Sequence, residues 1–152
     1  MYDRILLPTD GTRGSDRATR HAIGLAAAHD ATLYALYVID QDVYQAYGGD
    51  EYVHDREGLE SALEQRGTDV LSEVETQATG EGIEVVTLLE RGVPHEQILD
   101  TGSEVDADVI VLGTEERPGE YRRLLGSVTE RVARRASRPV SIVKTPPDAD
   151  EE

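Results

Sequence analysis

The sequence predicts a doubly wound α/β domain: one five-stranded parallel sheet with helices on both faces. Three observations point there. Short apolar or β-branched runs alternate with longer segments of helical periodicity, the pattern of successive β-α-β units. The run "ADVIVLG" (107–113) is apolar without alternation, as a strand covered on both faces must be. No repeat, linker or composition break divides the 152 residues, which suffice for one core. Residues 1–145 are expected to form this single domain, with 146–152 an acidic, disordered tail.

Taken in order, "RILLP" (4–8) is a buried first strand ended by Pro8. From Thr12 to His29, Ala18, Ala22, Leu25 and Ala26 recur at helical spacing. "ATLYALYVID" (31–40), rich in β-branched and aromatic residues, is strand two. The polar segment 41–57, with Tyr44, Tyr47 and Tyr52, is a long loop. It is either a lid over a ligand or an ordinary mobile connection. Leu59, Leu63, Val70 and Val74 mark a helix from about Asp55 to Thr79, stopped by Gly80 and Gly82. "IEVVTLLE" (83–90) is strand three. Pro94 suits the first turn of a helix carrying Ile98 and Leu99, weakened near its end by Gly102. Strand four is 107–113. The helix after Gly126 carries Val128, Val132 and Ala136, and "RPVSIVK" (138–144) is strand five.

The charge is unusual: 31 acidic residues stand against 15 basic ones, a net charge of −16, and Lys144 is the single lysine. The regular apolar segments exclude an acidic disordered chain. Acid excess with lysine scarcity along the whole chain points instead to a folded, halophilic protein, its carboxylates screened by molar salt. Nucleic acid is an unsuitable partner, because phosphate neutralisation needs a basic face. There is no cysteine, which excludes thiol chemistry, disulfides and cysteine-ligated metals. No apolar run reaches the roughly 20 residues of a membrane helix. The start "MYDRILLPTD" lacks a signal pattern, so no membrane association and a cytoplasmic location are expected.

In such sheets ligands bind beyond the carboxyl ends of strands, where the helices switch faces. The candidate ends are "PTDGT" after strand one, "VID" after strand two and "GTEERPGEYRRLLGS" after strand four. Asp10 is placed to accept hydrogen bonds from ribose hydroxyls, although for this residue taken alone a turn or helix cap is the simpler reading. Ser127 with Glu130 forms an S-x-x-E capping box, and the N–H groups of that turn are a possible anion site. Between residues 115 and 138, seven of the fourteen arginines meet only four acids, the charge that a polyphosphate site would need. No Gly-Lys-Ser/Thr and no G-x-S-x-G occurs, so neither a Walker loop nor the usual hydrolase nucleophile is present. His21, His29, His54 and His95 have no metal-ligand spacing, and the many carboxylates give no distinctive catalytic pair.

The whole chain resembles the universal stress protein family, of the small single-domain kind. The pieces that carry the resemblance are "ILLPTDGT", "RGVPHEQIL", "DADVIVLGT" and "RRLLGSVTERVARRASRPVSIVK", which in order span nearly the full length. With the acid excess it implies a halophilic archaeal member. The resemblance implies strand order 3-2-1-4-5 and a homodimer through the last strand, Val140 to Val143. ATP-binding members carry a Gly-x-x-Gly-x9-Gly-Ser/Thr loop. Gly113 matches its first glycine and Gly126 with Ser127 its last pair, while Glu116 replaces the middle one. By the same resemblance Asp10 would hold ribose. Pro8, Thr9 and Val38 would line the adenine pocket, and Leu112 belongs with Gly113 to the nucleotide-binding set. Val128 and Thr129 would complete the phosphate turn, with ATP as cofactor and Mg2+ as its companion.

A glycine permits positive φ and close approach of backbone to phosphate, whereas glutamate adds bulk and negative charge. Gly119 could supply flexibility, and Arg117, Arg122 and Arg123 could offset the charge. Two readings follow: a non-enzymatic nucleotide-binding stress-response protein, and a nucleotide-free dimer whose pocket Glu116 has impaired. A weaker third is a nucleotide hydrolase with Asp10 as base.

Overall fold

The computed structural model describes residues 1–41, 53–114 and 126–145. The elements run β1 (Arg4–Pro8), α1 (Arg13–His29), β2 (Thr32–Asp40), α2 (Val53–Gly80), β3 (Val85–Gly92), α3 (Pro94–Glu104), β4 (Val109–Gly113), α4 (Ser127–Arg135) and β5 (Val140–Val143). All pairings are parallel and the sheet order is β3-β2-β1-β4-β5. The expected doubly wound sheet is therefore the observed one. Tyr44, Tyr47, Tyr52 and the segment 146–152 lie outside the described residues.

Successive side chains of a strand point to opposite faces, so each buried strand feeds two cores. Ile5, Leu7, Leu33, Ala35, Val109 and Val111 face Ala18, Ala22 and Ala26 of α1 and Val70, Leu71 and Val74 of α2. Leu6, Leu36, Ile110 and Leu112 face Ile98 of α3 and Val132 of α4. This is why β4 reads as an uninterrupted apolar run. The first two helices thus cover one face and the last two the other, and the change of face falls between the neighbours β1 and β4.

Several element ends differ from expectation for one physical reason, the helix cap. Ile83 and Ala107 are apolar but do not pair in strands. Ile83 N–H donates to Ala78 O at 3.0 Å and Ala107 N–H to Gly102 O at 2.9 Å, each closing a helix behind a residue at positive φ. Those residues are Gly82 (φ 76°) and Asp106 (φ 54°), which supply the left-handed turn of this C-terminal motif. β3 accordingly starts two residues late, and it runs on to Gly92 because Arg91 and Gly92 pair with Ile39 and Asp40. Gly102 does not weaken α3, which continues to Glu104; a Cβ there would meet Ile110 Cδ1 at 3.5 Å, an ordinary packing contact. α4 ends at Arg135, and Ala136, expected on the helix, is its extended cap residue.

The expected capping box also does not form. Gly126 is the N-cap of α4, Ser127 is its first helical residue, and no side chain caps the turn. Glu130 instead pairs with Arg134 at 2.9 Å. At the amino ends of β1 and β4, away from the cleft, Asp108 accepts the N–H groups of Asp3 (2.7 Å) and Arg4 (2.9 Å). These two backbone donors hold its carboxyl below the ordinary carboxylate range.

Candidate functional site

At the carboxyl ends of β1, β2 and β4, where the helices change face, the chain leaves a cleft of about 420 Å³. That volume lies within the range of small-molecule sites, roughly 300–1,000 Å³. Pro8, Thr9 and Asp10 come to it from the end of β1, Val38 from β2, and Leu112 and Gly113 from β4. Gly126, Ser127, Val128 and Thr129 come from the start of α4. All ten residues singled out in the sequence therefore line one cavity. Glu116 and its neighbours Glu115, Arg117, Gly119, Arg122 and Arg123 lie outside the described residues.

The floor is held by hydrogen bonds that the strand ends require. Thr9 N–H donates to Leu36 O at 2.8 Å, joining β1 to β2 beyond the last strand residue. The buried Thr9 hydroxyl meets the buried Ser15 hydroxyl at 2.5 Å, and Asp10 N–H donates to Ser15 Oγ at 3.2 Å. Asp10 Oδ1 accepts both the N–H and the hydroxyl of Thr12, at 2.9 and 2.6 Å, so the aspartate does form a turn. Yet only Oδ1 is used: among the described residues Oδ2 makes no hydrogen bond, and Asp10 is exposed at the cleft. The turn and ligand readings of Asp10 are compatible, one per oxygen.

On the other side the buried Thr129 hydroxyl donates to Gly113 O at 2.9 Å, tying the first turn of α4 to the end of β4. With Gly126 as cap and no side chain closing the turn, the leading N–H groups of α4 keep their capacity for an anion. Ser127, relieved of capping, is exposed there. Gly113 is needed for space: a Cβ on it would lie 2.3 Å from Gly14 O. The walls are apolar, from Leu36, Val38, Leu63 and Ile98 among others, and the further polar groups are Thr12, Ser15, Asp40 and Thr114.

Sequence reasoning did not single out Ser15, Asp40, Leu63, Ile98 or Thr114, among others. Asp40 ends the "VID" segment and Thr114 follows Gly113, so position at a strand end could have found both. Leu63 and Ile98 read only as core residues of helices, with no local signal of a cleft.

Fold and cleft together define a doubly wound α/β protein whose cleft lies at the β1/β4 switch point, where sheets of this kind place their ligands. The chain belongs to the universal stress protein family, whose profile matches residues 1–144. It is 37% identical over 149 residues to a universal stress protein of Methanocaldococcus jannaschii, covering 96% of this chain and 84% of that one. Among solved structures, another M. jannaschii protein superposes with a TM-score of 0.83 at 25% identity, over 96% of this chain and 98% of that one. A universal stress protein in complex with cAMP gives 0.70 at 27% identity, over 95% and 98%. One from Archaeoglobus fulgidus in complex with dAMP gives 0.65 at 26%, over 94% and 98%. No described helix is long and apolar enough to cross a membrane.

Proposed function

We propose that this chain is a stress-response protein that binds an adenine nucleotide in the cleft between β1 and β4. One observation carries the reading: a carboxylate with a spare oxygen and a helix N-terminus without a side-chain cap line one cleft of small-molecule size, together with apolar walls. The apolar walls at Val38, Leu36 and Ile98 would take the base. Asp10 Oδ2 would accept a ribose hydroxyl, and the Gly126–Thr129 turn would take phosphate. ATP, with Mg2+ on its phosphates, is the expected cofactor. The cAMP and dAMP complexes of similar proteins support the adenine nucleotide class as a whole. The role proposed is binding and signalling from the cytoplasm rather than catalysis, with any hydrolysis slow and incidental.

Mass spectrometry of gently purified protein, followed by calorimetric titration in molar potassium chloride, tests this. An adenine nucleotide should co-purify or bind, and Asp10→Ala should weaken it about tenfold, the value of one charge-assisted hydrogen bond. Absence of both co-purification and binding would favour the nucleotide-free reading, whose support is Glu116 in place of a loop glycine.

The same proposal includes a two-fold dimer through β5. Its support is that β5 is an edge strand, half-buried along its whole length, and exposed edges invite pairing. β3, the other edge, is longer and leaves Val86 and Leu89 exposed, so it is the competing interface. Light scattering should give a dimer, and Ile142→Asp should dissociate it while Leu89→Asp should not. A monomeric wild type, or dissociation by the β3 variant alone, would refute pairing through β5.

A further inference from the structure

Asp10 sits on a turn that is gripped from outside its own segment. The Arg66 guanidinium of α2 donates from Nη2 to Asp10 O at 3.2 Å, across 56 residues of sequence. The next residue, Gly11, has φ 79°, and a Cβ there would lie 2.7 Å from Val70 Cγ2 and 3.3 Å from Arg66 Nη2. The turn is thus wedged against α2 so closely that only glycine fits. Every hydrogen-bonding group of Asp10 except Oδ2 is then occupied. Its N–H goes to Ser15, its carbonyl takes Arg66, and its Oδ1 takes Thr12. α2 itself is tied to the sheet by a second arginine, Arg91 of β3, which pairs with Glu60 and Glu64, within two helical turns of Arg66. These carboxylates raise the Arg91 pKa further, its hydrogen bond to Glu60 first among the causes.

We infer that Arg66 is a positioning residue that aims the Asp10 carboxylate at the sugar of the bound ligand, making α2 a determinant of sugar recognition. The inference rests on the proposal that Asp10 Oδ2 accepts a ribose hydroxyl. A carboxylate discriminates a hydroxyl from its absence only if the oxygen is held where the hydroxyl arrives; a free side chain turns to water instead. Without Arg66, Asp10 O loses its partner and the Asp10–Gly11 turn loses the polar half of its attachment to α2. Val70 still blocks inward movement, so the turn would relax outward, carrying Oδ2 away from the cleft. Arg66 is exposed and its side chain fills no core space, so its removal is compatible with folding.

The readout is a ratio that a merely structural role would not move. Affinities for AMP and for 2′,3′-dideoxy-AMP are measured by calorimetry for the wild type, Arg66→Ala and Arg66→Lys. The wild type should prefer AMP by about tenfold, as expected for one hydrogen bond to a charged group. In Arg66→Ala the preference should fall to about twofold or less, through weaker AMP binding with dideoxy-AMP nearly unchanged. Arg66→Lys, which retains one donor on a stem of similar reach, should restore most of it. A tenfold preference kept by Arg66→Ala would overturn the inference and leave the nucleotide reading intact. So would an equal loss of both ligands, which leaves the preference unchanged. A wild type that binds neither ligand, or both alike, would refute ribose recognition by Asp10, and the role of Arg66 would fall with it.

Discussion

Gly14 and Gly24 lie on one helix, and the same substitution at each should have opposite effects. Gly14 is in the first turn of α1, packed on the exit of β4. A methyl group there would lie 2.1 Å from Thr114 O and 3.2 Å from Thr114 C. Carbon and carbonyl oxygen meet at roughly 3.3 Å, so one backbone must retreat by about 1 Å. The obstacle is main chain on both sides, so no rotamer change relieves it. Forced overpacking costs about 1–3 kcal/mol, and the upper end applies here. Helix propensity returns at most about 1 kcal/mol, less near the helix start. The net loss is about 2 kcal/mol, or a fall in Tm of about 4–8 °C for a chain of this size. At Gly24 a Cβ would meet nothing within 4 Å, so Gly24→Ala should gain about 0.5–1 kcal/mol and raise Tm by about 1–4 °C.

Gly14→Ala should also act at the cleft, because the carbonyl it strikes belongs to Thr114, next to the Gly113 that accepts from Thr129. Gly113→Ala would press on Gly14 from the other side, at 2.3 Å from Gly14 O, so the double variant should be less destabilised than the sum of the two. Differential scanning fluorimetry and nucleotide titration on the four variants are sufficient. Stabilisation by Gly14→Ala comparable to that of Gly24→Ala would show that the α1–β4 crossing is not as close as described.

Three other outcomes are expected. Glu116→Gly should tighten nucleotide binding and Glu116→Ala should do so less, since at molar salt, with a Debye length of about 3 Å, backbone freedom outweighs charge repulsion; wild-type affinity equal to that of the glycine variant would refute this. Asp108 has a folded-state pKa below its unfolded one, so its contribution is complete above the unfolded value of about 3.9 and is lost as pH falls through the lower folded value. Asp108→Asn should therefore flatten the loss of Tm on acidification below about pH 4, and parallel acid limbs would contradict the assignment. If the net charge of −16 is an adaptation to salt, Tm should be clearly higher in molar potassium chloride than in dilute buffer, and equal values would remove that explanation.

The strands were legible because burial on two faces leaves an uninterrupted apolar run, as in Val109–Leu112, and the cleft was legible because it must lie at strand ends. The boundaries were not, because capping is decided by a single dihedral. Asp106 at φ 54° reads in sequence like any polar loop residue, and the Ala107 that it withdraws from β4 reads like strand. Ser127 was misread as a cap because Gly126, one residue earlier, already has the extended geometry (φ −70°, ψ 164°) that the cap position requires. Arg66 carries no local signal at all. Its partner is a backbone carbonyl on another segment, brought near only when α2 docks.

Charge is the remaining constraint on the cleft. Among the residues whose side chains are described, its lining includes two carboxylates, Asp10 and Asp40, and no cationic group. The first turn of α4 offers the equivalent of about half a positive charge, too little for a triphosphate but suited to a single phosphate group. Any longer phosphate chain must draw its neutralisation from solution cations or from arginines whose side chains lie outside the described ones, Arg13 and those between 117 and 123. The two sources respond oppositely to ionic strength. Guanidinium contacts weaken as salt rises, whereas repulsion from an acidic protein surface is relieved by it. In a protein carrying a net charge of −16 the second effect extends over the whole surface. The acidic surface, taken alone, therefore favours nucleotide binding that strengthens with salt, the reverse of what a basic phosphate site gives.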